Sequence, residues 1–401
     1  MQGKEQLNRW NFKDYIRNVL MILVKIPIWI FQICLFWIPI QKNKIIIYSL
    51  KQHGYSCNLK YLTEYLKVMK KDIFQILWVV KREEDYNLLN KRGIPVVMLH
   101  SKGHFLYRMR AGIVITNDEF YPMFLKRKGQ LYINTWHGGI NYKKIGYAGL
   151  EFTNPIQKII YKMNNPCPDL FISGSHSFTE TTSGSFGFPE KIFLSSGLLR
   201  NDILCKPKDK KQIVDIKEKI GIAANKKVLL YAPTFRKGNH IPQEDLDFVG
   251  ITLKLQEKFG GEWIVLLRQH YFISNSEMGK NEKVIDVSQY EDMQELILCS
   301  DCMISDYSSC MWDYIITGKP CFVYAEDLKE YMNEDRSFFI SVEEWPYPLC
   351  RNMKELYDAI ENFDREIYAK NIKVHREKFG SYDRGVACEM LVNKLEQYIR
   401  N

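Results

Sequence analysis

The stretch whose residue types best suit chemistry is ISDYSSCMWDY, residues 304–314. The apolar run Cys302–Ile304 predicts a strand, and Met311–Thr317 predicts a helix. The acidic residue and the hydroxyls between them, Asp306–Ser309, therefore fall where a strand passes into a helix N-terminus. Unpaired backbone N–H groups, hydroxyls and the positive end of the helix dipole together favour a bound phosphate. The alternative is that these side chains only cap the helix.

Several other predicted strands also end in polar residues. Ligands of open parallel sheets bind beyond the carboxyl ends of the strands, so a site is expected at these ends. The residues concerned are Trp136, His137, Gly138 and Gly139 after QLYINT, Arg200, Asn201 and Asp202 after KIFLSSG, Pro233, Thr234 and Arg236 after KVLLYA, Arg268, Gln269 and His270 after EWIVLL, and Asp306, Ser308 and Ser309 after CMIS. Each could be a turn or cap residue. Together they predict a binding site, in which two arginines, a histidine, a threonine and two serines form a diphosphate-binding rim: Arg236, Arg268, His270, Thr234, Ser308 and Ser309.

Strand-like and helical patterns alternate along the chain. Apolar runs predict strands at 44–49, 75–80, 94–99, 112–116, 130–136, 170–173 and 191–196 and, after a lysine-rich stretch, at 227–232, 262–269, 284–287, 302–305 and 321–324. Asn58–Lys70 has the apolar spacing of an amphipathic helix. Such alternation is typical of parallel α/β sheets with right-handed crossovers. The predicted fold class is therefore α/β, with two doubly wound Rossmann-like domains at residues 42–205 and 206–401.

The composition indicates a globular protein of a reducing compartment. The chain has 401 residues, of which 46% are hydrophobic, enough for two domains with separate cores. Its ten cysteines are scattered, and several lie in apolar runs, as buried thiols do. The net charge of +9 suits an anionic substrate, a membrane surface or nucleic acid. Because neither an RNA-recognition signature nor an acidic cluster with metal-ligand spacing occurs, we expect no nucleic-acid partner, no metal and no cofactor.

The N-terminal segment is apolar enough to meet a membrane. Tyr15–Ile40 is rich in aromatic and aliphatic residues but contains Lys25, Pro27 and Pro39. Its uncharged part is shorter than the roughly 20 residues that a spanning helix needs. Basic residues flank both ends, which favours an amphipathic helix lying in the headgroup layer. Residues 1–41 are therefore predicted to be a peripheral membrane-associating segment, and a spanning helix or a purely structural apolar helix are the alternatives.

With these residues in view, the chain resembles the CDP-glycerol glycerophosphotransferases, the primases and polymerases of teichoic acid. The similarity covers nearly the whole length after the N-terminal segment and rests on YSCNLKYLTEYL, GQLYINTWHGGINYKKIG, GLLRNDIL, LYAPTFR, LLRQH, SDYSSCMWDY, GKPCFVYAEDLKEY and YDRGVA. The resemblance implies a GT-B arrangement whose C-terminal domain holds most of the nucleotide. It also implies transfer of glycerol phosphate from CDP-glycerol to a lipid-linked glycan or polyol-phosphate acceptor, with release of CMP, at the cytoplasmic face of the cell membrane.

The family's functional residues can be placed on this sequence motif by motif. By resemblance His137 and His270 are catalytic, and the substrate-binding residues are Trp136, Gly138, Gly139, Ile140, Arg200, Asn201, Asp202, Pro233, Thr234, Arg236, Arg268, Gln269, Asp306, Ser308, Ser309 and Asp313. The chain departs from the family where Gly139–Ile140 replaces Thr-Pro and where Leu199 and Tyr271 replace proline. These departures leave the donor alditol open, so that CDP-ribitol is an alternative to CDP-glycerol.

Two other functions fit parts of the pattern. A nucleotide-sugar glycosyltransferase of the same architecture would release a nucleoside diphosphate instead of CMP. A membrane-attached protein that binds anionic polymers would bind tightly and in a salt-dependent manner, without turnover. Analysis of the reaction products separates the three functions.

Overall fold

The structure is a computed structural model. It describes residues 12–49, 55–70, 72–118, 125–149, 162–163, 165–207, 209–234, 236, 246–269, 283–334 and 337–401. His270 and the start of the predicted membrane segment lie outside the described residues.

Two parallel β-sheets organise the described residues. The first sheet has seven strands in the order β3-β2-β1-β4-β5-β6-β7. Its strands are β1 Gln41–Tyr48, β2 Gln75–Val80, β3 Val96–Met98, β4 Ala111–Thr116, β5 Leu131–Asn134, β6 Leu170–Ser173 and β7 Phe193–Ser195. Ile45, Ile46 and Ile47 in β1 are fully buried, because a parallel sheet is covered on both faces.

The second sheet has six strands in the order β10-β9-β8-β11-β12-β13. Its strands are β8 Lys227–Ala232, β9 Trp263–Leu267, β10 Val284–Asp286, β11 Cys302–Ser305, β12 Cys321–Tyr324 and β13 Leu349–Cys350. In both sheets the strand order reverses beside the first strand of the set, between β1 and β4 and between β8 and β11. The ends of strands at such a reversal form a crevice, which is the expected place for a ligand.

Helices connect the strands and cover the sheets. Those of five or more residues are α1 Phe12–Cys34, α2 Cys57–Met69, α3 Glu83–Lys91, α4 Lys102–Arg110, α5 His176–Phe186, α6 Lys210–Ile220, α7 Phe248–Phe259, α8 Met293–Cys299, α9 Cys310–Tyr314, α10 Leu328–Glu334, α11 Met353–Glu361, α12 Arg365–Lys378 and α13 Ala387–Arg400. Short turns of helix at Gly146–Gly149 and Asp202–Cys205 complete the described α-helices.

The prediction of an α/β fold with parallel sheets is confirmed. Strands β2, β6, β8, β11 and β12 have the predicted bounds, and the other predicted strands differ by a few residues at their ends. Strand β13 was not predicted, because its two residues are too few to show a pattern. The predicted helix after β11 is present as α9, followed by a 3₁₀ turn at Ile315–Thr317.

The last helix returns to the first sheet. Leu391 and Leu395 of α13 are fully buried in the same core cluster as Ile45 and Ile47 of β1. The Tyr398 hydroxyl donates to the carbonyl of Gly112 at 3.0 Å, next to β4. The segment 206–401, which the sequence assigns to one domain, therefore contributes its final helix to the core of the other sheet.

The first helix, α1, has an inverted pattern of burial. Its apolar side chains Leu20, Leu23 and Phe31 are 54–57% exposed, whereas Lys25 and Gln32 are each 1% exposed. Burial lowers the pKa of Lys25. These two polar side chains thus face the protein, whereas Leu20 and Leu23 face outward and the exposed ring of Phe31 stacks on Phe105 of α4, with centroids 5.5 Å apart. Within the described part of the chain, no helix combines the length and hydropathy that crossing a bilayer requires.

The end of α1 is attached to the first sheet by polar bonds. Gln32 Oε1 accepts from the backbone N–H of Leu125 at 3.0 Å. The Arg127 guanidinium donates to the carbonyls of Phe36 at 2.6 Å and Ile38 at 2.7 Å, just beyond the helix. The Arg127 bonds hold the segment between α1 and β1 against the first sheet, and they fix the direction in which α1 leaves that sheet.

Candidate active site

The turn after β5 carries the histidine that the sequence predicts to be catalytic. Trp136 has a left-handed backbone with φ of 49°, which is unfavourable for a bulky residue. The buried Asn58 side chain of α2 holds this conformation by donating to the carbonyls of Thr135 at 3.0 Å and Trp136 at 2.9 Å. The Trp136 indole stacks on the His137 ring with centroids 4.8 Å apart. The turn therefore presents His137 in a fixed direction.

The end of β4 sets the tautomer of His137. Its Nδ1 lies 3.0 Å from the carbonyl oxygen of Asn117. Because a carbonyl can only accept, Nδ1 carries the proton and Nε2 is the basic nitrogen. Asp118 Oδ1 lies 3.6 Å from the same Nδ1, and the His137 side chain is 43% exposed. An accessible imidazole in this tautomer can take a proton from a hydroxyl.

A glycine at position 139 allows the histidine turn to approach the second sheet. A β-carbon built on Gly138 would lie 4.0 Å from the Ser309 hydroxyl oxygen. A β-carbon on Gly139 would lie 2.7 Å from the Trp312 indole, closer than van der Waals contact allows. The turn of His137 and the turn of the two serines follow strands of different sheets and are therefore neighbours. The place where these strand ends of the two sheets meet is called the cleft.

The chain after Gly139 continues into the core of the second sheet. Ile140 and Tyr142 are each 2% exposed and belong to the core cluster of that sheet. The Tyr142 carbonyl accepts from the N–H of Phe339 at 2.8 Å. The structure thus brings Ile140, which was predicted to bind substrate, into a hydrophobic core instead. The turn that carries His137 is attached to both sheets.

Ser308 and Ser309 lie half-buried at the start of α9, next to the reversal in strand order. Ser308 Oγ lies 3.4 Å from the backbone nitrogen of Cys310, which is a long hydrogen bond. Ser309 makes no side-chain bond that caps the helix. Capping therefore accounts for little of what these two hydroxyls can bind, and the geometry favours the ligand interpretation.

Asp306 joins the turns that follow β8 and β11. Its carboxylate accepts from the backbone N–H of Thr234 at 2.8 Å and 3.0 Å. Pro233 and Thr234 are half-buried at the end of β8. The Thr234 hydroxyl oxygen is buried and has no hydrogen-bond partner among the described residues. A buried hydroxyl without a partner at a strand end is a candidate ligand contact.

Arg236 is held by two carboxylates. Its guanidinium lies 2.9 Å from Asp306 and 2.7 Å from Asp327. Burial opposes the charge, but hydrogen bonds and charges from these carboxylates hold the pKa of Arg236 above its ordinary value. The rings of Tyr307 and Tyr331 lie 4.8 Å and 4.6 Å from the guanidinium carbon. With 4% exposure, Arg236 supports the turn rather than presenting its charge to a phosphate.

Arg268 and Gln269 follow β9. Arg268 Nη1 donates to the carbonyls of Val287, at 2.8 Å, and Ser288. The backbone N–H of Gln269 donates to the Ser288 hydroxyl at 3.0 Å. Burial lowers the pKa of Arg268. Because these two carbonyl partners are neutral, they do not cancel the charge of Arg268, and its predicted contact with a phosphate stays a prediction.

Arg200, Asn201 and Asp313 form a buried polar network between the two sheets. Arg200 Nη2 lies 2.6 Å from Asp313 Oδ2, and Asn201 Nδ2 donates to Asp313 Oδ1 at 2.9 Å. Gln294 also donates to Asp313 at 3.0 Å. Burial alone would lower the pKa of Arg200, but Asp313 and the Cys57 thiol raise it above its ordinary value. The structure thus brings these predicted site residues together as partners of one another.

Asp202 caps the final helix instead of facing the cleft. Its two carboxylate oxygens accept from the backbone N–H groups of Ala387 at 2.9 Å and Cys388 at 2.8 Å. Asp202 is 7% exposed. Burial raises the pKa of its neighbour Asp383, of the YDRGVA motif, to about 6. This part of the predicted site joins the chain's C-terminal region to the first sheet.

The sequence analysis missed two residues that touch the His137 turn. Asn58 supports the strained Trp136, and Asp118 lies beside the His137 ring. Both follow the strands at the reversal in the first sheet, so the strand-end argument would have found Asp118 had it been applied to GIVITND. Among the ranges that the structure covers, no group of histidine, cysteine and acidic residues could hold a metal ion.

Two parallel sheets whose strand ends bring a histidine and hydroxyl groups together define an α/β protein with a candidate site for a phosphorylated ligand. The model of the CDP-glycerol:poly(glycerophosphate) glycerophosphotransferase family matches residues 30–397. The chain belongs to this family.

Individual relatives agree with this membership. The teichoic acid glycerol-phosphate transferase of Staphylococcus aureus is 30% identical over 367 residues, which are 88% of this chain and 93% of the relative. The teichoic acid poly(glycerol phosphate) polymerase of Staphylococcus epidermidis is 29% identical over 90% of this chain, but the chain covers only 51% of that polymerase. A solved structure of a variant of the wall teichoic acid polymerase TagF with CDPG has a TM-score of 0.77 and 26% identity, covering 97% of this chain and 98% of the solved chain. The protein is a glycerophosphotransferase by family.

Proposed function

We propose that the protein transfers glycerol phosphate from CDP-glycerol to a hydroxyl of a lipid-linked glycan or polyol-phosphate acceptor and releases CMP, in the synthesis of teichoic acid or a capsule-type surface polymer. The observation that carries this proposal is the approach of the His137 turn to Ser309 across the cleft. It puts a base from the first sheet beside hydroxyl groups from the second. Family membership supports CDP-glycerol as the donor.

In the proposed mechanism His137 is the general base. Nε2 accepts the proton of the acceptor hydroxyl while the hydroxyl oxygen attacks the β-phosphorus of the donor. The bond between the β-phosphorus and the bridging oxygen breaks, and CMP leaves. Ser308, Ser309, Thr234 and Arg268 donate to the phosphoryl oxygens, whose charge grows in the transition state. His270 remains the second catalytic candidate, by resemblance alone.

The two sheets correspond to the two halves of the proposed GT-B arrangement. We place the boundary at residues 205 and 206, with α13 added to the first half because its buried face packs there. The acceptor then meets the first half through His137, and the nucleotide meets the second half beyond β8 and β11. Limited proteolysis that releases residues 206–386 from a stable remainder would support this division.

Measuring CMP release from CDP-glycerol and from CDP-ribitol tests the reaction itself. We expect acceptor-dependent CMP release from CDP-glycerol. Faster release from CDP-ribitol would keep the reaction and change the donor. Formation of a nucleoside diphosphate from a nucleotide sugar, without CMP release from either alditol donor, would instead identify a glycosyltransferase.

The two serines provide a test of the donor site. Replacing both Ser308 and Ser309 by alanine should weaken CDP-glycerol binding, because each lost hydrogen bond to a charged group costs about 1.5–3 kcal/mol. Isothermal titration calorimetry measures the affinity. Ser195→Ala, at an exposed position at the end of β7, is the matched control and should bind like the parent. Parent affinity in the double variant would contradict this placement of the phosphates.

We further propose that α1 rests on the cytoplasmic face of the cell membrane as a peripheral anchor. Its support is the inverted burial of this helix, in which Lys25 and Gln32 face the protein while Leu20, Leu23 and Phe31 are exposed. Apolar side chains on the outer face gain free energy when a lipid surface covers them. The bonds of Arg127 to the segment just after the helix hold this face in a constant orientation.

Replacing Leu20, Leu23 and Phe31 together by serine should release the protein from vesicles that contain anionic lipid. Complete burial of each parent side chain contributes roughly 1.5–3 kcal/mol, and partial burial contributes less. Co-sedimentation measures the bound fraction, and CMP release with a soluble acceptor should persist. The control replaces Val68 and Met69, which are 80% and 58% exposed on α2. Equal sedimentation of the triple variant and the parent would remove the anchor assignment.

A further inference from the structure

We propose that Asp118 is a positioning residue for His137, which holds the ring and balances the positive charge that forms when Nε2 takes the acceptor proton. This inference rests on the proposed role of His137 as general base. It adds a residue that neither the strand-end pattern nor the family motifs placed in the site.

Asp118 approaches His137 at Nδ1, the ring nitrogen that does not accept the proton. Nδ1 of His137 donates to the carbonyl of Asn117 at 3.0 Å, and Asp118 Oδ1 lies 3.6 Å from the same nitrogen. Carbonyl and carboxylate thus sit together on the protonated side of the ring. A small rotation of the imidazole, or a change from neutral to charged ring, brings the carboxylate within bonding reach.

Burial makes the Asp118 charge effective. The Asp118 side chain is 8% exposed, while that of His137 is 43% exposed. Shielding from solvent strengthens the interaction of a carboxylate with a nearby imidazolium. Asp118 Oδ2 is buried and has no hydrogen-bond partner among the described residues. A buried carboxylate oxygen without a hydrogen bond costs free energy. A positive charge that forms next to it during the reaction offsets this cost.

The main chain of Asp118 is fixed independently of its side chain. Its backbone carbonyl accepts from Asn134 Nδ2 at 2.8 Å and from the Thr116 hydroxyl at 3.1 Å. Since these bonds survive any change of side chain, the carboxylate is not needed to hold the end of β4 in place. The position of the carboxylate beside His137 is therefore the feature of Asp118 that needs a functional explanation.

Two other described neighbours of the ring carry no charge. The Trp136 indole covers one face of the ring, and the serine turn lies across the cleft beyond Gly138. During transfer the acceptor oxygen forms a bond to the β-phosphorus, and its proton moves to Nε2. The bond from phosphorus to CMP breaks, and CMP carries the electron pair away. The Asp118 carboxylate lies beside the imidazolium until the proton on Nε2 returns to solvent.

The test is Asp118→Asn, which keeps the shape of the side chain and removes its charge. We expect kcat for CMP release to fall about 10- to 100-fold, the range typical of residues that orient a metal-bound histidine. KM for CDP-glycerol should stay at the parent value, because the donor is held by the second sheet. The acidic limb of the kcat/KM profile should move to lower pH, because a nearby carboxylate raises an imidazole pKa and its loss lowers it.

The control is Asp85→Asn, at a carboxylate in the first turn of α3 that is 7% exposed and pairs with Arg82 at 2.8 Å. This variant should leave the pH profile where it is. An Asp118→Asn enzyme with the kcat and pH profile of the control would overturn the inference, whereas a parent enzyme that releases no CMP would overturn the proposed function instead. If Asp118→Asn melts below the assay temperature, Asp118→Ser takes its place. That variant also removes the charge and should move the acidic limb to lower pH, and a limb at the parent position would equally overturn the inference.

Discussion

Replacing His137 by alanine should lower the rate of CMP release from CDP-glycerol by about 10²–10⁴-fold, the usual contribution of a positioned general base. The variant loses Nε2, the ring nitrogen that the bond from Nδ1 to Asn117 leaves unprotonated and basic. Because the His137 side chain is 43% exposed, its removal leaves no buried cavity. The free energy of unfolding should therefore stay at the parent value. Steady-state CMP release and a thermal melt of the same preparation give both quantities.

His176→Ala is the matched control for this experiment. His176 is 61% exposed on α5 and pairs with Glu180 at 3.2 Å, so its loss should change neither turnover nor stability. CDP-glycerol affinity should survive in the His137 variant, because the donor groups belong to the second sheet. A folded His137→Ala enzyme that releases CMP at the parent rate would end the catalytic assignment.

Replacing Asp313 by alanine should lower the free energy of unfolding by about 3–5 kcal/mol, as expected when one partner of a buried ion pair is removed. Arg200, which is 7% exposed, would keep its charge inside the protein without its carboxylate. The side-chain amides of Asn201 and Gln294 would lose their acceptor as well. Because this pair joins the two sheets, the variant should also open more readily at the cleft. Denaturant unfolding measures the stability change.

Glu262→Ala is the control for the loss of a carboxylate at the surface, where Glu262 pairs with Lys226. An exposed ion pair contributes little, so this variant should unfold like the parent. The Asp313 experiment also decides between two roles. If Asp313→Ala kept the parent stability but lost affinity for CDP-glycerol, Asp313 would be the ligand contact that the sequence analysis predicted.

The strand ends show how much of the candidate site can be predicted from the sequence. The apolar runs that form β8 and β11 can be recognised in the sequence. The polar turns after them, Thr234 and Ser308–Ser309, lie where predicted. Strand ends and motifs were less informative for Arg236 and Ile140. Both stand in the right motifs, yet Arg236 is enclosed by Asp306 and Asp327, and Ile140 is 2% exposed in a core. Residue type and position along a strand cannot separate a side chain that faces a cleft from one that faces the protein.

The sequence by itself determined the α/β class, the two sets of parallel strands and the family, because buried runs, turn residues and motifs are local properties of the chain. Only the tertiary structure decided which polar residues face the cleft and which face one another. Asn201 and Asp313 are 112 positions apart, and their bond exists because the two sheets pack together with both side chains between them. The same packing brings His137 toward Ser309, because Gly139 has no side chain to meet Trp312. Contacts of this kind depend on how whole sheets meet, which no local pattern encodes.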